Sequence, residues 1–225
     1  MDKHLFLFGG GPPFTKRMAR KFVQETTKKD APISLLVVER EGWEQYITNY
    51  TDSLFQLGVK DIQIAPLPST PINKVLKCIE NSSGIVIGGG DTNLYADYIV
   101  DTPIADVIKQ KYEDSIPVAG FSAGALISPE ECILSAKDNV LKEFQHRKGL
   151  GLVSDILLAV HFTQWKDQNH LREAVKKFNT HVNYGIDEKT CVYLLNGSLA
   201  DTEGYGVYSI INDRVVKVHA NSSFN

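Results

Sequence analysis

The chain has 225 residues, of which 43% are hydrophobic and 23% are charged, and its formal net charge is −3. This composition predicts one large domain spanning 1–225 and excludes the basic surfaces that bind nucleic acid or anionic membranes. No apolar stretch approaches the ~20 residues of a membrane span, and the N-terminus has no signal-peptide pattern, so we expect a cytoplasmic protein. Its three scattered cysteines are expected to be reduced thiols.

The first half of the chain alternates between buried strands and amphipathic helices. Apolar runs predict five strands, at residues 4–8, 33–38, 59–65, 85–87 and 117–121. The helical periodicity between them predicts helices that begin near residues 12, 43 and 71, and a helical stretch after residue 90 that is broken near Pro103. Strands that are apolar throughout are typical of a parallel sheet covered on both faces. We therefore predict a doubly wound, mostly parallel, flavodoxin-like α/β fold.

The second half of the chain has a different pattern. Residues 129–154 show no clear period, residues 156–160 predict another buried strand, and a helix is expected from about residue 167 to residue 182. Short strands separated by the hairpin signals Asn196-Gly197 and Asn212-Asp213 follow. They predict antiparallel C-terminal strands at the edge of the sheet.

One pentapeptide carries the sharpest chemical signal. Residues 120–124, Gly-Phe-Ser-Ala-Gly, fit G-x-S-x-G, follow a predicted strand and precede a short apolar segment. This is the setting of a nucleophile elbow, in which a tight turn presents the central hydroxyl at the sheet edge. We predict that Ser122 is a nucleophile, although a serine that only caps a strand-to-helix turn fits the same five residues.

A serine hydroxyl needs a base to accept its proton. Of the six histidines, His161 ends a buried strand, so we expect its imidazole at the same edge as Ser122, whereas His170 lies on an amphipathic helix and is expected to be solvated. The base in turn needs a carboxylate that holds its tautomer. Asp187 and Glu188 end another short strand, and their spacing does not choose between them.

A glycine run, Gly88-Gly89-Gly90, ends the fourth predicted strand and is followed by Asp-Thr-Asn. It lacks the lysine of a P-loop and the spacing of G-x-G-x-x-G, which argues against nucleotide binding. Glycine also allows a backbone N–H to point at a developing oxyanion, so we predict an oxyanion hole made by the N–H groups of Gly90 and Ala123. No clustered Cys/His spacing occurs, and we expect no metal and no cofactor.

Four motifs follow one another along the chain: G-G-G-D-T-N (88–93), G-F-S-A-G-A (120–125), V-H-F-T-Q (160–164) and G-I-D-E (185–188). Together they resemble the peptidase E and cyanophycinase family of serine peptidases, whose fold is related to the class I glutamine amidotransferases. The resemblance runs from the first strand to about residue 195. It implies an enzyme that hydrolyses a small peptide through an acyl-enzyme, and we expect a monomer or a homodimer.

The same resemblance assigns roles to individual residues. It implies a Ser–His–Glu triad at Ser122, His161 and Glu188, which favours Glu188 over its neighbour. It also implies oxyanion donors at Gly90 and Ala123.

The substrate is less closely defined by the resemblance. Peptidase E enzymes cleave dipeptides with an N-terminal aspartate, and cyanophycinases cleave β-aspartyl-arginine units from a storage polymer. This chain departs from both patterns, with Trp165 in place of an arginine and Asp91 in place of an asparagine. We expect Asp91 to disfavour an acidic substrate group beside the oxyanion glycine. Thr92, Gln164 and Arg172 are further candidates for substrate binding, the last through a substrate carboxylate.

Two other functions remain open at this point. The chain fits a non-catalytic protein that keeps the fold and binds a small ligand in its cleft. Amide hydrolysis of the glutamine amidotransferase kind fits less well, because those enzymes use a cysteine where this chain has Ser122.

Overall fold

The computed structural model describes residues 1–26 and 31–218, whose thirteen strands form three sheets. The other residues of the predicted domain, 27–30 and 219–225, lie outside the described residues. In chain order the strands are β1 (His4–Phe8), β2 (Ile33–Val38), β3 (Ile62–Leu67), β4 (Gly84–Ile87), β5 (Val118–Phe121), β6 (Glu131–Leu134), β7 (Gln145–Lys148), β8 (Ile156–Val160), β9 (Val182–Ile186), β10 (Cys191–Leu195), β11 (Ser198–Glu203), β12 (Val207–Ile211) and β13 (Arg214–Lys217).

Seven strands form the main sheet, in the order β11-β10-β1-β5-β4-β2-β3. The five strands from the first half of the chain pair in parallel, whereas β10 pairs antiparallel with β1 and β11 pairs antiparallel with β10. The predicted mostly parallel α/β sheet is thus confirmed. Because parallel strands share one carboxyl edge, the turns after Phe8, Ile87 and Phe121 meet there.

Seven α-helices lie in the described part of the chain. They are α1 (Lys16–Glu25), α2 (Ile47–Gln56), α3 (Ile72–Glu80), α4 (Thr92–Tyr95), α5 (Ile104–Glu113), α6 (Ala123–Leu126) and α7 (Gln168–Phe178). A 3₁₀ turn at Trp43–Tyr46 leads into α2, and a π-helical turn at Ala96–Val100 follows α4. Pro103 stands just before α5, where its missing N–H costs no helical hydrogen bond. None of the helices in these ranges is both long and apolar enough to cross a membrane.

Both faces of the main sheet are buried. On β1, Phe6 and Phe8 pack with Met18 and Phe22 of α1 in one core cluster. The alternate residue Leu7 packs on the opposite face, in the cluster that contains buried residues of α3 and α5. Successive residues of a strand point to opposite faces, so a strand that is covered by helices on both sides must be apolar throughout.

The sequence predicts that the C-terminal strands extend the edge of one sheet, but they divide between two sheets. Strands β10 and β11 extend the main sheet, but β12 and β13 join β9 and β8 in a separate four-stranded sheet. This second sheet has its own core, in which Phe162 packs with Leu171 and Ala174 of α7. An apolar run predicts that β8 is buried but does not say which sheet buries it. The region without a clear period contains the β6–β7 hairpin.

Several element boundaries differ from the prediction. The first helix begins at Lys16 rather than near residue 12. The third strand begins at Ile62 rather than Val59, because the Val59 N–H donates to the Leu54 carbonyl at the end of α2 (3.1 Å). Helix α7 ends at Phe178, several residues early, because Asn179 takes a left-handed conformation (φ 49°) that stops the helix.

Candidate active site

Ser122 lies on a tight turn between β5 and α6. Its backbone has φ 48° and ψ −105°, a conformation that few non-glycine residues adopt. The flanking glycines are required by space: a Cβ on Gly120 would lie 2.3 Å from the Gly124 carbonyl oxygen, and a Cβ on Gly124 would lie 2.4 Å from the Ile87 carbonyl oxygen. The pentapeptide therefore brings strand, turn and helix together without side-chain clashes. This is the strained geometry of a nucleophile elbow.

The turn after β1 joins the two sheets at the site. The Ser122 N–H donates to the Phe8 carbonyl (3.0 Å), and the His161 N–H donates to the next carbonyl, that of Gly9 (2.7 Å). A Cβ on Gly9 would lie 2.3 Å from the Ile186 carbonyl oxygen, so only glycine allows the second sheet to approach this closely. Two successive carbonyls of one turn thereby set the positions of two residues that are 39 positions apart.

Three side chains form a continuous chain of hydrogen bonds. Ser122 Oγ lies 2.9 Å from His161 Nε2, and His161 Nδ1 lies 2.8 Å from Glu188 Oε1. An ionised carboxylate only accepts hydrogen bonds, so Nδ1 is assigned as the protonated nitrogen and Nε2 accepts from the serine hydroxyl. This arrangement is able to move a proton from the hydroxyl to the imidazole while the carboxylate stabilises the resulting charge.

The two neighbouring carboxylates have different partners. Asp187 is buried, and its Oδ1 accepts from the Thr163 N–H (2.9 Å) and the Thr163 hydroxyl (2.7 Å). Glu188 instead faces His161. Asp187 is thus hydrogen-bonded to the turn that follows His161, and Glu188 is the partner of the histidine.

A pair of residues in the turn after His161, Gln164 and Trp165, contacts the histidine and the glutamate that pairs with it. The Trp165 ring stacks on the imidazole, with centroids 4.3 Å apart and planes 17° from parallel. Gln164 Oε1 accepts from the Glu188 N–H (3.0 Å). Gln164, a predicted substrate contact, therefore supports the backbone of the glutamate.

The backbone N–H groups of Gly90 and Ala123, near the serine, have no acceptor among residues 1–26 and 31–218. The neighbouring groups are occupied: the Gly89 N–H donates to the Tyr50 hydroxyl (2.9 Å), and the Gly124 N–H donates to the Gly88 carbonyl (3.1 Å). Gly89 lies against the serine, since a Cβ on it would be 3.2 Å from the Ser122 Cβ. Two free donors beside the hydroxyl are what an oxyanion requires.

An open cleft of about 290 Å³ leads to the serine. Its lining comes from both sheets and consists of Gly11, Pro12, Arg40, Tyr46, Asn49, Tyr50, Gly89, Gly90, Ser122, Asp138, His161 and Trp165. Of the five residues predicted to bind substrate, Trp165 lies in this lining.

The other predicted substrate-binding residues have partners within the protein. The Asp91 carboxylate caps α4 by accepting from the Leu94 N–H (3.2 Å), and Asp91 is not among the residues that line the cleft. Thr92 is fully buried. Arg172 donates to the Asp213 carbonyl (3.0 Å) and is not among the residues that line the cleft.

Asp138 is a cleft residue that the sequence does not reveal, because it lies in the region without a clear period. Its Oδ2 accepts from the Thr92 hydroxyl (2.6 Å). Burial raises the pKa of the Asp138 carboxyl to about 6, and the nearby charges of Asp91 and Asp167 add to this effect, while the Thr92 hydrogen bond opposes it. A carboxylate in the wall of the cleft favours a cationic group on whatever binds there.

His170 differs from its prediction. The residue is half-buried rather than solvated. Burial lowers the pKa of its imidazole, with the charges of Asp167 and Glu173 opposing that effect. In the described part of the chain, no group of three or more His, Cys, Asp or Glu side chains is arranged to hold a metal ion.

Similar proteins give the site a family context. Residues 6–201 match Peptidase family S51. The cyanophycinase of Trichormus variabilis is 27% identical over 167 residues, which are 70% of this chain and 55% of that protein. The cyanophycinase of Synechococcus elongatus is 26% identical over 214 residues, which are 89% of this chain and 65% of that protein. The chain thus spans less than two thirds of the length of these relatives.

Two solved structures share the fold. A peptidase from an acI-B1 Actinobacterium superposes with a TM-score of 0.70 at 19% identity, covering 99% of this chain and 96% of that one. A putative peptidase E protein from Listeria monocytogenes EGD-e superposes with a TM-score of 0.61 at 17% identity, covering 91% of this chain and 100% of that one. Since the family match covers most of the sequence, the chain belongs to peptidase family S51.

Proposed function

We propose that this protein is a serine peptidase that hydrolyses a small peptide through an acyl-enzyme. The observation that carries the proposal is the unbroken hydrogen-bond chain from Ser122 through His161 to Glu188, beside two free backbone donors. Membership of peptidase family S51 supports the same activity.

The first step forms a covalent bond between enzyme and substrate. Ser122 Oγ attacks the scissile carbonyl carbon while His161 Nε2 takes the hydroxyl proton. The negative charge that develops on the carbonyl oxygen is bound by the N–H groups of Gly90 and Ala123, and each such donor typically supplies ~2.7–4 kcal/mol of transition-state stabilisation. His161 then gives its proton to the leaving amine, and the peptide bond breaks.

The second step releases the acyl group. Water takes the place of the leaving amine and loses a proton to His161 as it attacks the acyl-ester carbon. The ester bond to Ser122 breaks, and the serine oxygen recovers its proton from the imidazole. Throughout both steps Glu188 accepts from Nδ1 and stabilises the imidazolium.

The dimensions and charges of the cleft favour a short peptide. A volume of about 290 Å³ lies at the lower end of the ~300–1,000 Å³ typical of small-molecule sites. Asp138 in its wall favours a free amino group close to the scissile bond. We therefore propose dipeptides as substrates, with an aspartyl residue as the first choice to test, because relatives are named cyanophycinase and peptidase E.

A dipeptide library that includes Asp-Xaa and β-aspartyl members tests this proposal. Wild-type protein should release free amino acids from at least one member, measured by mass spectrometry, and Ser122→Ala should lower kcat roughly 10⁴- to 10⁶-fold without changing the melting temperature much. Hydrolysis that survives Ser122→Ala would contradict the proposal. A melting shift with a dipeptide that neither protein cleaves would instead favour a non-catalytic binding protein.

A further inference from the structure

The segment that follows β2 forms one wall of the cleft, and its side chains there are able to donate hydrogen bonds to a ligand. Arg40, Tyr46 and Asn49 all line the cleft. Within residues 1–26 and 31–218, none of the three polar groups has a hydrogen-bond or ion-pair partner. We propose that Arg40, with Tyr46 and Asn49, binds a carboxylate on the acyl residue of the substrate and so determines specificity. This inference rests on the proposed peptidase activity.

The order of strands fixes which part of a substrate meets this wall. Along the carboxyl edge the strands run β1, β5, β4, β2. His161 is bonded to the turn after β1, Ser122 follows β5, and Arg40 comes shortly after β2. Histidine and arginine therefore lie on opposite sides of the serine. Strand β2 is two strand spacings from β5, roughly 10 Å.

This order separates the two halves of a bound peptide. The leaving amine must face His161, which supplies its proton. The acyl residue then extends the other way, past Gly89 and Gly90 towards Arg40. A charge at Arg40 is thus placed to select the residue whose carbonyl is attacked rather than the residue that leaves.

The guanidinium of Arg40 is available for an anionic partner. Its Cζ lies 4.9 Å from the centroid of the Tyr46 ring, a cation–π contact that leaves the hydrogen-bond donors of the guanidinium unused. The adjacent carboxylate of Glu39 is engaged elsewhere, since it accepts from the Ser69 N–H (3.1 Å). A planar guanidinium without an anionic partner matches a carboxylate, which it can bind through two parallel hydrogen bonds.

A second contact connects this wall to the glycine loop. Burial raises the pKa of the Tyr50 hydroxyl, while the Gly89 N–H and the Arg40 charge oppose the increase. Arg40 and Tyr50 line the same cleft as Gly89, and the Tyr50 hydroxyl accepts from the Gly89 N–H (2.9 Å). The arginine therefore shares the cleft with the loop that carries the proposed oxyanion donor Gly90. A carboxylate bound at Arg40 would therefore lie on the oxyanion side of the serine.

The chemistry shared by two kinds of substrate fits this subsite. An α-linked aspartyl residue would present its side-chain carboxylate, and a β-linked aspartyl residue would present its α-carboxylate. In both cases the carboxylate outside the scissile bond meets Arg40. The amide of an asparagine residue has the same shape as an α-linked aspartyl side chain but no charge, so Asn-Ala is the matched comparison for Asp-Ala and a neutral reference for β-Asp-Ala.

Binding to the Ser122→Ala variant tests the subsite without turnover. Isothermal titration calorimetry would compare Asp-Ala, β-Asp-Ala and Asn-Ala on this variant, alone and combined with Arg40→Gln, Arg40→Lys or the control Arg20→Gln, an exposed arginine of α1. We expect one aspartyl dipeptide to bind about 10- to 100-fold more tightly than Asn-Ala. Arg40→Gln should abolish that preference, Arg40→Lys should keep part of it, and Arg20→Gln should leave it unchanged.

The outcomes separate this inference from the proposed function. An unchanged aspartyl preference in Arg40→Gln, or no preference in the first place, overturns the subsite even if wild-type protein cleaves peptides. An Arg40-dependent preference in a protein that cleaves nothing supports the subsite and overturns the peptidase proposal. Whichever of Asp-Ala and β-Asp-Ala depends on Arg40 identifies the linkage.

Discussion

The serine and its two partners come from two sheets that hold them by different means. Ser122 follows a strand of the main sheet, is itself 9% exposed, and lies between the fully buried residues Phe121 and Ala123. The Glu188 side chain is 46% exposed, and it comes from the second sheet. Packing thus fixes Ser122, whereas hydrogen bonds fix His161 and Glu188. The two parts of the site should respond differently to substitution.

The largest effect is expected at the hydrogen-bonded side, where one carboxylate holds the histidine tautomer. Glu188→Gln presents an amide that can donate to Nδ1 and favour the wrong tautomer, so kcat should fall roughly 10⁴-fold. Asp187→Asn should mainly weaken the turn at Thr163, lowering stability by about 1–2 kcal/mol with a much smaller loss of kcat. Dipeptide kinetics and urea unfolding of both variants check this. A catalytic collapse in Asp187→Asn with activity retained in Glu188→Gln would reverse the assignment.

The next effect is expected where the sheets meet. A methyl group on Gly9 would lie 2.3 Å from the Ile186 carbonyl oxygen and 2.4 Å from the Asp187 carbonyl oxygen. It would therefore push the second sheet away from the main sheet. Gly9→Ala should therefore separate Ser122 from His161 and lower kcat roughly 100-fold, as displacements of about 1 Å do. It should also destabilise the fold by about 1–3 kcal/mol.

A matched control lies two residues away. A Cβ on Gly11 has nothing within 4 Å, so Gly11→Ala should leave the free energy of unfolding unchanged. Equal destabilisation by the two substitutions would mean that the close approach at Gly9 does not join the sheets.

The smallest effect concerns Asp138, whose folded-state pKa is raised from 3.8 to about 6. The folded protein holds this proton more tightly than the unfolded chain, so the contribution of Asp138 to stability falls as pH rises from about 4 to 6. The cost above pH 6 is at most about 3 kcal/mol. Asp138→Asn should be about 1–3 kcal/mol more stable than wild type at pH 7.5 and similar to it near pH 4. Urea unfolding at the two pH values, with the exposed Asp52→Asn as control, measures the difference.

The same contrast explains what the sequence predicts well. Continuous apolar runs identify the parallel strands, and glycine spacing identifies the turn at Ser122, because packing against two helical layers leaves a strong pattern. The pairing of β12 with β9 leaves no such pattern. An apolar strand looks the same whichever sheet buries it, so the second sheet could not be predicted.

The residues of the site divide in a similar way. Sequence spacing left Asp187 and Glu188 equivalent, since it does not show that Thr163 takes up the first carboxylate. Asp138 lies in a segment without periodicity and gave no signal. Arg40 could have been found, because it comes two residues after a predicted parallel strand, at the edge where ligands bind.

The rate at which a fluorophosphonate labels Ser122 tests most directly whether the two sheets supply one catalytic unit. Wild-type protein should form a single adduct at Ser122, located by peptide mass spectrometry. His161→Gln should slow labelling roughly 10²- to 10⁴-fold, whereas His181→Gln, which changes an exposed histidine, should not slow it. Labelling of Ser122 at the wild-type rate in His161→Gln, or no labelling of Ser122 in the folded wild-type protein, would contradict the account.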